Sequence, residues 1–365
     1  MKYVLYFLSI CVALGITEIC LKLYWLEPVQ NESTPNVGIQ MQAHPTRIWS
    51  LTPNSKMENF GVQITVDALG MREGIDVDNE KARIIILGDS SFFGHGVDRE
   101  DTLHSQLAES LRTQGIPTDV QCGAVPGYSI IQSKIFMDEI GWEQKPTMLI
   151  IGNLWSDNNF DYFTDKEWIA TLRSPFYLWK QNMSRSAIWQ FLQYSRNKKE
   201  KQEVGTLARI SWVKKPIEIP QRRVSLVDYA MNLDLLIQEA GKRSVEVILI
   251  QPANRNRLHN KNSQEMWEPY FTVQRKIAHH RQTPIFDVAE ILQTFSMSPN
   301  QAFLDEMHPT GKTNYWLAQS IANQIIYKGW PEKSFVPNLD EGGFATSQIP
   351  SDPFVDVGDS VRSVE

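Results

Sequence analysis

The stretch that most constrains the fold is Arg83-Ile84-Ile85-Ile86-Leu87-Gly88-Asp89-Ser90-Ser91-Phe92-Phe93-Gly94. Four large apolar residues in a row, three of them β-branched, predict a short strand buried on both faces, as in a parallel sheet covered by helices. Gly88 breaks the run, and Asp89-Ser90-Ser91 carries the side chains that cap a helix start. Ser90 is thereby expected at the carboxyl end of a buried strand and beside a helix N-terminus. Open α/β sheets place their ligands there, and a helix start offers free N–H groups to developing negative charge. A capped turn without chemistry has the same local pattern, so the serine gains meaning only from what the rest of the chain brings to it.

The rest of the chain alternates strand and helix. Helical spacing runs through Leu103, Leu107 and Leu111, and a short strand follows at Asp119 to Cys122. Ile130 to Trp142 reads as helix and Met148 to Ile151 as a second fully apolar strand. Ser225 to Ala240, Gln264 to His280 and Lys312 to Tyr327 read as helices, with strands at Val245 to Ile250 and Pro284 to Val288. Strands alternating with helices predict an α/β domain with a parallel sheet. Ahead of it, Arg47 to Val66 is expected to hold two short strands joined near Pro53-Asn54-Ser55.

Residues 3–26 form an apolar run interrupted only by Glu18 and Lys22, which a helix sets side by side as an ion pair. The run is about long enough to cross a bilayer, so it is read as an uncleaved transmembrane anchor. The competing reading is a signal peptide, for which Ala13-Leu14-Gly15 resembles a cleavage site; the apolar pattern continues past it. Met1-Lys2 gives a weak positive flank, which places the remaining chain outside the cytoplasm, periplasmic or extracellular. Residues 27–46 are a polar linker, 47–330 the α/β domain and 331–365 a patternless tail rich in Pro, Gly, Ser and Asp. Within the domain, 158–224 is an insertion rich in Trp, Tyr, Phe, Lys and Arg, with an amphipathic helix expected over 174–196. It reads as a lid, as a surface toward lipid headgroups or an acidic polymer, or as a solvated helical hairpin on the sheet edge.

A net charge of −6 argues against nucleic acid as a partner. The three cysteines, Cys11, Cys20 and Cys122, imply no disulfide framework. No Cys/His cluster has metal-ligand spacing, and Gly94-His95-Gly96 lacks the third glycine of a nucleotide loop, so neither a metal nor a cofactor is expected.

The far end of the chain supplies what Ser90 needs. A serine requires a base to act as a nucleophile at neutral pH. His308 stands in a loop before the last helix, three residues after Asp305, in Asp305-Glu306-Met307-His308-Pro309. In a tight turn that spacing lets Asp305 hold one ring nitrogen and leaves the other for Ser90, the logic of a Ser-His-Asp triad. The same residues would also serve merely to cap and pin the last helix. Oxyanion donors are expected from the Ser90 N–H, from the turn Ala124-Val125-Pro126-Gly127-Tyr128, and from the loop Gly152-Asn153-Leu154-Trp155-Ser156-Asp157-Asn158. His95 is expected at the pocket rim.

Taken together, these blocks resemble the SGNH/GDSL hydrolase family. Gly88-Asp89-Ser90 matches its first block, Gly127 its oxyanion glycine, and Asp305-x-x-His308 its last block. The resemblance runs from about Arg47 to Tyr327 and takes in Pro53-Asn54, Leu69-Gly70-Met71-Arg72 and Phe93-Gly94-His95-Gly96-Val97. It implies a three-layer, flavodoxin-like α/β fold and a serine esterase acting on an acyl ester, acetyl included, with Ser90, His308 and Asp305 catalytic. Two blocks depart. The family's oxyanion asparagine falls on Ser156, with Asn153 and Asn158 as nearby alternates, and Thr313 stands where a glycine is usual. The same fold serves O-acyl transfer to or from cell-surface carbohydrate, and the Ser156 departure keeps open a non-catalytic envelope-binding protein.

Overall fold

The computed structural model describes residues 2–23, 38–77, 82–175, 177, 186–189, 191, 219–259 and 265–331. The expected tail lies outside the described residues apart from Pro331, as do 27–37 of the expected linker and most of 174–196.

Helix α1 (Lys2–Leu21) is apolar along its length and is the one described helix long and apolar enough to cross a membrane. Glu18 and Lys22 pair across one turn at 3.3 Å, as their spacing predicts. Glu18 also accepts from the Ser186 hydroxyl and from the Ala187 and Ile188 N–H groups, so α1 touches the insertion.

Four short strands precede the sheet: β1 (Met41–His44), β2 (Ile48–Leu51), β3 (Lys56–Asn59) and β4 (Val62–Thr65). β1 pairs with β2, and β3 with β4. This differs from the sequence reading in two ways. β1 lies within the stretch read as linker, because a half-exposed Met-Gln-Ala-His strand carries almost no apolar signal. The hairpin turn is Phe60-Gly61 rather than Pro53-Asn54-Ser55.

The main sheet follows. β5 (Ala82–Leu87) leads into the short α2 (Ser90–Phe93), then α3 (Leu103–Thr113), β6 (Thr118–Cys122), α4 (Ile130–Glu139), β7 (Met148–Ile151) and α5 (Trp155–Asn158). The neck of the insertion holds β8 (Phe160–Asp161), α6 (Asp165–Leu172) and β9 (Gln221–Arg222). The chain returns through α7 (Leu226–Lys242), β10 (Glu246–Gln251), α8 (Arg255–His259), α9 (Glu268–His280), β11 (Ile285–Asp287), α10 (Val288–Thr294), α11 (Pro299–Ala302) and α12 (Gly311–Tyr327).

Five strands stand in the order β11-β10-β7-β5-β6, all parallel. Numbered by appearance within the sheet this is the 2-1-3-4-5 order of flavodoxin-like sheets. Helices α3, α10 and α12 pack together on one side, and α4, α7 and α9 on the other. The fold is thus a three-layer α/β fold, as the resemblance implies. Ile84 to Leu87 and Met148 to Ile151 are fully buried, so each of these side chains stabilises the sheet by about 1.5–3 kcal/mol. The order also locates the ligand crevice. The chain leaves β5 toward β6 on one side and later reaches β7 on the other, so the carboxyl end of β5 lies at the switch point.

Candidate active site

Ser90 is the first residue of α2, at the carboxyl end of β5. Asp89 caps the helix, its carboxylate accepting from Ser91 N–H at 3.1 Å. The short helix is seated by Phe92. A Cβ on Gly88 or on Gly152 would overlap the Phe92 ring, so the glycines after β5 and β7 make room for the helix that carries the serine.

The final loop comes to meet it. Phe303 and Pro309 bridge in antiparallel fashion, and the Leu304 N–H donates to the His308 carbonyl at 2.8 Å. Inside this closed loop one Asp305 oxygen accepts the Met307 and His308 N–H groups, both at 2.9 Å. The other oxygen lies 2.6 Å from His308 Nδ1. His308 Nε2 lies 2.8 Å from Ser90 Oγ. The three side chains named from the sequence are therefore within hydrogen-bond reach in the order Ser90–His308–Asp305, across 218 residues of chain. Burial pushes the Asp305 carboxyl up, but the hydrogen bonds from His308 and the two backbone N–H groups outweigh it and leave it at about 2. Asp305 is thus a carboxylate at neutral pH, which fixes Nδ1 as the protonated ring nitrogen and frees Nε2 to accept from Ser90.

A residue with no local signal braces this loop. Arg255, at the start of α8, donates from Nε to the Asp305 carbonyl at 2.5 Å, and through its other nitrogens to Asn300 Oδ1 and the Phe303 carbonyl. Its own N–H donates to the Glu306 carbonyl. His95 is closer to the chemistry than a rim position implies. Its ring lies tilted against His308 at 4.4 Å between centroids and meets exposed Phe60 edge-on at 5.0 Å. Burial, then the neighbouring His308, holds His95 down at about 4, so it faces His308 as a neutral ring.

The donor side is assembled differently. Val125 N–H donates to the Gly88 carbonyl, which ties the Gly127 turn to the end of β5. Gly127 has φ +79°, a left-handed conformation open to glycine, and a Cβ there would come within 3.0 Å of the Trp49 ring. Its N–H has no hydrogen-bond partner among the described residues, and it is half-buried while its neighbours are buried. The Ser90 N–H, at the first position of α2, has no partner within the helix.

Ser156 and Asn153 have other engagements. The Ser156 N–H and hydroxyl both face the Asp89 carboxylate, at 3.2 and 3.5 Å. Asn153 is fully buried and donates to the Tyr128 carbonyl at 3.3 Å. Asn158, the other alternate, accepts from Arg222. Burial drives the Asp89 carboxyl up, opposed by the Ser91 and Ser156 N–H groups. The block that departs from the family pattern therefore holds Asp89, the residue that caps the helix carrying Ser90.

No family model matches the chain, and no curated protein matches it. Similar solved structures exist. A lipase/acylhydrolase from Enterococcus faecalis is 13% identical over 72% of this chain and 100% of its own, with a TM-score of 0.44. Axe2, an acetylxylan esterase from Geobacillus stearothermophilus, is 16% identical over 67% and 94%, with a TM-score of 0.42. The site is defined by the distances above.

Proposed function

We propose that the protein is a serine esterase of the SGNH/GDSL type, held at a membrane by α1. The observation that carries this reading is the continuous relay Ser90 Oγ–His308 Nε2–Asp305 Oδ2, at 2.8 and 2.6 Å. A helix-capping role for Asp305 and His308 has no use for the Ser90 contact, since Thr310 itself caps α12.

In the proposed reaction, Ser90 Oγ attacks the acyl carbonyl carbon and its proton passes to His308 Nε2. The carbonyl electron pair moves to oxygen, which the Ser90 and Gly127 N–H groups receive. Collapse of this intermediate expels the alcohol, which takes the proton from His308, and leaves acyl-Ser90. Water then repeats the sequence with His308 as base and releases the acid. Asp305 keeps the ring oriented and stabilises it while it carries the extra proton. Ser156 supports Asp89 beneath the nucleophile; its hydroxyl would supply a third donor only by giving up Asp89, whereas Asn153 keeps a second amide N–H beside the one on the Tyr128 carbonyl.

The test is hydrolysis of a short-chain aryl acetate by the full-length protein in detergent, beside Ser90→Ala. Turnover should fall by about 10⁴-fold or more in a variant that melts like the parent. Retained turnover in folded Ser90→Ala would sink the proposal. If a sugar hydroxyl outcompetes water for the acyl group, the enzyme is an acyltransferase working through the same serine.

A further inference from the structure

The insertion joins the sheet through a neck that is stitched at both ends. Phe160–Asp161 pairs with Gln221–Arg222. Arg223 N–H donates to the Asn159 carbonyl, Asp165 N–H to the Arg223 carbonyl, and Val224 N–H to the Asp157 carbonyl. At the centre of this neck lies a buried ion pair. Arg223 Nε and Nη2 reach the two oxygens of Asp165 at 2.9 and 2.8 Å, with the side chains 6% and 0% exposed. Such a pair needs further partners to offset its desolvation.

Those partners lead to the oxyanion turn. Arg223 Nη1 donates to the Gly127 carbonyl at 2.7 Å, and Nη2 also reaches Gln132 Oε1 at 2.9 Å. The guanidinium lies over the Trp49 ring at 5.1 Å. Trp49 Nε1 in turn donates to the Pro126 carbonyl at 3.1 Å. The Pro126 carbonyl and the Gly127 N–H belong to one planar, trans peptide, so fixing the oxygen fixes the direction of the N–H. A donor on the carbonyl also polarises the N–H at the other end of that group. Arg223 holds the next peptide, and Trp49 blocks the space beside Gly127 Cα. Both peptide groups flanking Gly127 are therefore held from outside the turn.

We propose that Trp49 and Arg223 are positioning residues for the Gly127 oxyanion donor, and that the neck of the insertion, through the Asp165–Arg223 pair, sets how well that donor is aimed. This deepens the esterase reading and rests on it for the role of Gly127.

The test uses Trp49→Phe, which keeps the ring and removes the donor, and Arg223→Lys, which keeps the charge but not the fork that reaches Asp165 and Gly127 together. The full-length protein in detergent is assayed with an aryl acetate, and each variant is also made in the Ser90→Ala background with carbonyl-labelled Pro and amide-labelled Gly. Among 19 prolines only Pro126 is followed by glycine, so this labelling gives a single backbone resonance, that of Gly127. Both variants should lose about tenfold in kcat with KM unchanged, short of the roughly 10²–10³ expected for outright loss of a donor. Both should shift the Gly127 resonance. Should the wild type turn over while the folded variants match it in kcat and in the Gly127 resonance, the inference is overturned. A wild type that turns over no ester, with a Gly127 resonance that still moves, would overturn the esterase reading and leave the positioning intact.

Discussion

The two halves of the candidate site are built on opposite principles. The base half, Asp305 and His308, is a short loop closed on itself, with its carboxylate half-exposed and its partners within three residues. The donor half, around Gly127, is enclosed, and beyond the turn's own Tyr128 N–H to Val125 carbonyl bond the groups that orient it arrive from far along the chain: Trp49, Arg223 and, through Arg223, Asp165. In the proposed reaction the base serves Ser90 and then the departing alcohol, which a surface loop with one firm carboxylate allows. An oxyanion donor contributes most when it does not reorganise, and a buried scaffold enforces that.

The contrast breaks most visibly at Gly127. Gly127→Ala meets both the left-handed backbone and the Trp49 ring, so kcat should drop by about 10²–10³-fold while Ser90 and His308 stay in place. Steady-state kinetics on a variant of unchanged thermal stability checks it, and a near-normal kcat would remove Gly127 from the reaction.

Arg255→Ala tests the base half, where the support is a single side chain on a loop. It releases the Asp305 and Phe303 carbonyls and should cost about tenfold in kcat, because small misplacement of a catalytic group is expensive in rate. Global stability should barely change. A loss of stability with normal kcat would reverse that assignment.

Acidity separates the buried histidines from the exposed Asp305 carboxylate. Burial holds His104 down at about 3 and His95 at about 4, against an ordinary value of 6.5, and His44 likewise at about 4. The unfolded chain takes up these protons near pH 6.5, and the folded chain does not until about pH 4 at His95 and His44 and about pH 3 at His104. Stability is therefore full above about 6.5 and falls as pH drops toward 4. His104, fully buried, alone accounts for about 2 kcal/mol of loss by pH 5. Asp305, depressed to about 2, works in the other window: its contribution is complete above the ordinary value of 3.8 and is lost as pH falls through about 2. Urea unfolding at pH 7 and pH 5 measures the first effect, and equal stabilities would contradict it.

The same contrast explains what could be read from the sequence. The strand before Ser90, the glycine break and Asp305-x-x-His308 are local patterns, and each element boundary in the sheet fell close to its apolar run. Trp49, Arg223 and Arg255 have no such signal. Their partners lie 77, 96 and 50 residues away, and nothing in an isolated Trp or Arg says which carbonyl it will meet. His95 is visible as a rim candidate, but its contact with the His308 ring depends on how two loops converge. The Ser156 departure was visible too; that its N–H and hydroxyl face Asp89 followed only from the packing of α5 on the end of β5.

The central claim is that Ser90 is an activated nucleophile. The most direct measurement is covalent labelling of the full-length protein by a fluorophosphonate probe, with the modified residue located by mass spectrometry, beside Ser90→Ala and His308→Ala. A single adduct on Ser90 that disappears in both variants is the predicted result. An unlabelled, folded wild type, or labelling of Ser90 that survives loss of His308, would contradict it.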